Sequence, residues 1–159
     1  MDSGEFSHAS CETERQKDLI KCFNSCQFAR LLGMIVIEAA PGMARVAMKP
    51  GGKANPSGVV HGGAVFSLAD HAFGVAANLE NVPQVAVSAC IWYLSPASGS
   101  LMAVAQRVSE TDAYSVYSAK VFEGERLIAT FDGVGMKQNP DLSGMSASDT
   151  NDLRGKEIT

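Results

Sequence analysis

The stretch GAVFSLADHAFGVAANL, residues 63–79, has four polar side chains in its 17 residues: Ser67, Asp70, His71 and Asn78. Its pattern predicts a helix about 25 Å long, at 1.5 Å per residue. A helix that is apolar nearly all round is buried on most of its sides. The rest of the chain must therefore supply a wrapper.

The flanks provide one. Residues 84–95, 100–110, 113–122 and 127–136 read as strands. Ser95-Pro96-Ala97-Ser98-Gly99, Glu110-Thr111-Asp112 and Glu123-Gly124-Glu125 link them. Links this short favour antiparallel neighbours. Upstream, 34–39 and 43–49 form two more strand segments around Pro41-Gly42, and 50–60 is a loop punctuated by Pro and Gly. Residues 14–32 read as one helix, with Leu19, Ile20, Phe23, Phe28, Leu31 and Leu32 at near-helical spacing and Gly33 as the stop. The class is α+β: a curved antiparallel sheet around a long central helix, preceded by an N-terminal helix.

A chain of 159 residues predicts one domain. The expected folded part is 13–137, between flexible tails at 1–12 and 138–159 that are poor in large apolar side chains. The net charge of −4 argues against nucleic acid or an anionic membrane as partner. The apolar runs fall short of a bilayer span, and residues 1–12 lack the apolar core of a secretory signal. Cys11, Cys22, Cys26 and Cys90 form no CxxC pair, so free thiols and no metal site are expected. These features predict a cytoplasmic protein without a cofactor.

Chemistry concentrates between Asn55 and Asp70. His61-Gly62-Gly63 opens the central helix, where the first N–H groups lack internal partners and favour a negative oxygen. Glycine there admits a ligand close to the backbone, which suits an oxyanion hole. Asp70 lies mid-helix, where burial raises a carboxylate pKa towards what a general base needs. Gly62 and Asp70 are about 12 Å apart along one helix, too far to act on one carbonyl. A two-fold dimer with antiparallel central helices would bring Asp70 of one chain to Gly62 of the other, twice.

The segment VVHGGAVFSLADHAFGVAAN, residues 59–78, resembles the signature of hotdog-fold thioesterases of the phenylacetate-degradation (PaaI-like) family. The resemblance extends over about 26–137 and includes FARLLGM and YLSPA. It implies a hotdog fold, an acyl-CoA substrate of aryl or short-to-medium type, and a homodimer or dimer of dimers with sites at the interface. It implies that Asp70 is the general base or nucleophile, that the Gly62 N–H polarises the carbonyl, and that Asn55 helps to hold that carbonyl or the water. His61 and Gly63 are expected to line the substrate site. A hydroxyl used by some relatives one turn after the carboxylate is absent, because that position is Gly74. Ser88 is the candidate on the next strand; counting back from Ser95-Pro96 selects Ala86 instead. Lys53, Arg107, Arg126 and Lys137 are candidates for the CoA phosphates. Phe66, Phe73, Trp92 and Tyr93 read as core, and His71 as non-catalytic. Two other functions fit the same residues: an acyl-CoA-binding dimer without turnover, and a hydratase or dehydratase built on His61.

Overall fold

The computed structural model describes residues 13–80 and 82–138. The elements are helices α1 (Glu14–Ser25) and α2 (Gln27–Leu32), strands β1 (Met34–Ala40) and β2 (Met43–Met48), helix α3 (Gly62–Asn78), and strands β3 (Gln84–Tyr93), β4 (Leu101–Glu110), β5 (Tyr114–Glu123) and β6 (Arg126–Lys137). Six antiparallel strands form one sheet in the order β1-β2-β4-β5-β6-β3. The expected α+β hotdog architecture is present. The tails expected at 1–12 and 138–159 lie outside the described residues, Gln138 excepted.

One cross-strand row shows how the wrapper works. Val36, Val46, Ala103, Val121, Ala129 and Tyr93 are paired in turn from one edge of the sheet to the other. The first five are buried; Tyr93, on the edge strand, is 53% exposed. Residues two apart along each strand continue this inner face. Against it lies α3, with Ala64, Val65, Leu68, Ala69, Ala72, Phe73, Val75, Ala76 and Ala77 buried. The alanines let the sheet approach closely. Val65, Leu68 and Phe73 contribute about 1.5–3 kcal/mol each through burial. The strip of α3 that stays partly open runs through Gly63, Ser67, Asp70, Gly74 and Asn78, spaced three or four residues apart.

The N-terminal helix departs from expectation. It is broken at Cys26, which is extended (φ −61°, ψ 140°). Cys26 caps both pieces, and its Sγ accepts the Ala29 N–H. Leu19, Ile20 and Phe23 of α1 pack on the core, whereas Phe28 and Leu31 of α2 face outward at 56% and 77% exposed. The break rotates the second helix, so one apolar stripe does not continue across it. Asn24 Oδ1 accepts the Val36 N–H (2.8 Å), tying α1 to β1. Gly33 ends α2 in the left-handed region (φ 61°).

Close packing under α3 constrains β6. A Cβ on Gly133 would stand 2.9 Å from a ring carbon of Phe131 and 3.0 Å from two of Phe73. Both rings are buried and fixed. Gly133→Ala is expected to cost about 1–3 kcal/mol, the usual range for overpacking a tight core. A lowered urea midpoint without change in slope checks this; an unchanged midpoint would show that the rings can move.

Candidate active site

The loop between β2 and α3 is held by its own backbone. Asn55 N–H donates to Val59 O (2.7 Å), and Gly58 N–H to Asn55 O (2.9 Å). Asn55 Oδ1 accepts the N–H groups of Ser57 (2.9 Å) and Val59 (3.3 Å). Asparagine suits this turn because its side chain reaches the backbone two residues on. Its Nδ2 has no partner among the described residues. The loop is tied down by Val60 N–H to Ala97 O and His61 N–H to Lys53 O, both 2.7 Å.

His61 is the N-cap of α3, in extended conformation (φ −60°, ψ 135°). Its Nδ1 accepts the Gly63 N–H at 2.9 Å, and its carbonyl accepts from Ala64 (2.9 Å) and Val65 (3.2 Å). Accepting through Nδ1 leaves the ring proton on Nε2 in the neutral form. The Gly62 N–H, by contrast, has no partner among the described residues. Gly63 is therefore not a second donor; it belongs to the cap, and a Cβ there would sit 3.1 Å from His61 Nδ1. Tyr93 Oη donates to the Gly62 carbonyl at 3.1 Å. A cavity of about 300 Å³ opens beside Gly62, walled by Val60, Val65, Tyr93, Leu94 and Ile128.

Asp70 lies two turns along α3, half-buried and without a hydrogen bond or ion pair among the described residues. Burial raises its pKa above the ordinary 3.8. It borders a cavity of about 70 Å³ shared with Phe73, Gly74, Asn78, Gln84 and Ala86. From β3 the cavity takes Gln84, Val85 and Ala86, and Ser88 is not part of it. The register explains why. Ala86 pairs with Gly135 and Ser88 with the adjacent Val134, with an irregularity at Val87 between them. That extra residue is a bulge, and it turns Ser88 to the face away from α3.

The chain is similar to known proteins. The family model of the thioesterase superfamily matches residues 57–129. A protein of Deinococcus radiodurans is 37% identical over 102 residues, covering 62% of this chain and 68% of its own. A point mutant of phenylacetic acid degradation protein PaaI from Thermus thermophilus is 31% identical, covers 71% of this chain and 100% of its own, and has a TM-score of 0.68. The chain belongs to the hotdog-fold thioesterase superfamily. Its likeness to PaaI-like members extends to the PaaI protein of the E. coli phenylacetic acid degradation operon, at 27% identity and TM-score 0.74 over 79% of this chain and 94% of that one. The protein is thereby classed as a thioesterase-type hydrolase.

The basic residues of this thioesterase are mostly engaged. Arg107 pairs with Glu80 and with Glu110 (3.0 Å), Lys137 with Glu110, and Arg126 with Glu123. Lys53 Nζ donates to the carbonyls of Lys49 (2.9 Å) and Gly51 (2.8 Å). Glu123, which also accepts the Ser98 and Gly99 N–H groups, is held down to a pKa of about 2, chiefly by Arg126. Nor are Trp92 and Tyr93 core residues in the single chain, being 50% and 53% exposed. Phe73 is core, and Phe66 packs partly buried against it. Among the described residues no helix is long and apolar enough to cross a membrane.

His71 stands apart from this chemistry. Its ring meets Phe23 of α1 edge-on at 5.9 Å, and its Nε2 is buried without a partner among the described residues. Burial lowers its pKa below 6.5. Below pH 6.5 the unfolded chain therefore binds a proton that the folded chain resists, so stability falls as pH drops through that range. The urea midpoint is expected to decrease from pH 7.5 to 5.5, and His71→Leu should flatten that decrease. An equal slope in both proteins would remove His71 as its source.

Proposed function

We propose that the protein is an acyl-CoA thioesterase whose two sites each combine Asp70 of one protomer with Gly62 of another. One observation carries the reading: α3 holds, among the described residues, an unbonded N–H at its start and an unpartnered carboxylate two turns on. Even a half-buried carboxylate without a partner costs free energy, and Asp70 makes no bond that offsets it among the described residues. Eight residues of helix keep the two groups about 12 Å apart within one chain. Two antiparallel copies of α3 bring them together.

The sheet supports such a pairing. β3 is an edge strand, and Val85, Val87, Trp92, Tyr93 and Leu94 are exposed on or just beyond it. A long apolar edge is a template for another strand. The partly open strip of α3 lies beside it, with Asp70, Gly74 and Asn78 bordering the same cavity as Gln84, Val85 and Ala86 of β3. A two-fold contact here buries both. A further pairing of dimers is compatible with this arrangement.

In the reaction, the thioester carbonyl oxygen accepts from the Gly62 N–H, with Asn55 Nδ2 as a second donor. Asp70 takes a proton from water, and the hydroxide adds to the carbonyl carbon. The tetrahedral oxyanion collapses, the C–S bond breaks, and the thiolate leaves as CoA with the proton. In the nucleophilic variant Asp70 itself adds, and water then hydrolyses the anhydride. Neither route needs a cofactor. The apolar walls beside Gly62 fit an apolar acyl group, and the phenylacetic acid degradation names of the two PaaI structures favour an aryl one. Hydratase chemistry at His61 is less well supported, because its Nδ1 is committed to the Gly63 N–H.

Thiol release from phenylacetyl-, benzoyl-, hexanoyl- and acetyl-CoA tests this reading. Asp70→Asn is expected to lose at least about 100-fold in turnover, as for a general base. Tight acyl-CoA binding with no turnover by the wild type would favour a binding protein instead. Because Asp70 acts ionised and burial raises its pKa, the acid limb of kcat/KM should have its midpoint above 3.8 and be absent from any residual activity of Asp70→Asn.

Sharing of the site has its own test. Gly62→Pro removes the N–H at the first helical position, where proline is tolerated. The extended backbone of His61 already suits a following proline. Each variant alone should be inactive. Refolded together in equal amounts, Asp70→Asn and Gly62→Pro should recover about a quarter of wild-type activity, since half the dimers carry one intact site. No recovery would mean that each site lies within one chain.

A further inference from the structure

We propose that Tyr93 is a positioning residue that aims the Gly62 N–H at the substrate carbonyl; this rests on the reading of Gly62 as the oxyanion donor. Two peptide units flank the Gly62 Cα, with four polar ends between them. In the first, the His61 carbonyl is held by Ala64 and Val65, and the Gly62 N–H is free. In the second, the Gly63 N–H is held by His61 Nδ1, and the Gly62 carbonyl, already an acceptor within α3, takes a further bond from Tyr93 Oη. Three ends are fixed, and the fourth is the proposed catalytic donor.

Tyr93 is the long-range member of this set. The other bonds form within five residues of Gly62, whereas Tyr93 comes from the far end of β3. Its ring stands against the Gly62 Cα, 3.4 Å from where a Cβ would lie, so the glycine and the tyrosine fit each other. The same ring walls the 300 Å³ cavity into which the Gly62 end of the helix faces. Tyr93 also closes the sheet's inner-face row at the free edge, opposite Ala129. The hydroxyl thus fixes the rotation of the Gly62 peptides relative to the sheet, and the ring fixes the distance. Hydrogen bonds that hold an oxyanion donor in place before reaction avoid reorganisation during it.

Tyr93→Phe keeps the ring and removes the hydroxyl. The residue is half-exposed, so the fold should persist, as an unchanged urea midpoint would show. Turnover is expected to fall roughly three- to tenfold, the equivalent of one neutral hydrogen bond, with KM changed less than about twofold. A second readout reports on the carbonyl directly. In the ketone analogue of hexanoyl-CoA (CH2 for sulfur, ¹³C at the carbonyl), the infrared stretch should move to lower frequency on binding wild type. It should move less on binding Tyr93→Phe. Wild-type kcat together with a wild-type carbonyl shift would overturn the proposal, as would a rise in KM alone, which would make Tyr93 only a wall. Asp70→Asn, run in parallel, separates the two levels. If it is inactive while Tyr93→Phe behaves as wild type, only the role of Tyr93 fails. If it keeps full turnover, the shared-site reading fails and this proposal falls with it.

Discussion

Enclosing α3 is the constraint on which the structure depends. Nine of its seventeen residues are buried, and water cannot be left against them. Five strands lie side by side around it, and the sixth, β3, closes the sheet from the far side of β6. The enclosure is incomplete along one strip, and Asp70 sits on that strip. The same geometry that buries the helix therefore selects where a carboxylate can be half-desolvated yet reachable. Placed one residue on, at His71, the side chain packs towards α1 instead.

The second consequence concerns the start of the helix. A helix N-terminus offers several unsatisfied donors, and an enzyme needs a chosen one. Here the choice is made by subtraction. His61 takes the Gly63 N–H, and the helix takes those of Ala64 and Val65 through the His61 carbonyl. The Gly62 N–H is left over. Asn55 works in a similar way: its oxygen is committed to the turn, leaving its nitrogen to donate. Residues proposed to hold the substrate thus also stabilise the loop that presents them.

Much of this was legible in the amino-acid order. The apolar run at 63–79 implied a wrapped helix, and the short links implied antiparallel neighbours. That holds for β4-β5 and β5-β6 but not for β3-β4: residues 95–99 carry the chain from the β3 edge across to the side of β2. The spacing of Gly62 and Asp70 asks for two chains only if both groups act on one carbonyl, as proposed. Periodicity did not show the break at Cys26, because Phe28 and Leu31 keep helical spacing while facing outward. The bulge at Val87 left no signal in VAVSA, and a one-residue slip was enough to move Ser88 to the wrong face. Histidine is not among the commonest N-caps, so its claim on the Gly63 N–H was hidden. Tyr93 reaches Gly62 across 31 positions, a contact that local pattern cannot report.

The placement of β3 also bears on how the chain assembles. Its one strand neighbour among the described residues is β6, which is synthesised after β4 and β5. During synthesis β1 and β2 can pair at once, and β4 can join β2 as it emerges. β3 is made before β4 yet has nothing to pair with until β6 is complete. For that interval an apolar strand with free backbone groups follows an apolar helix whose enclosing sheet is unfinished. Non-local pairing of this kind slows folding and exposes surfaces that aggregate. The nascent chain is at its stickiest just before β6 emerges, when β3 and α3 await the same strand.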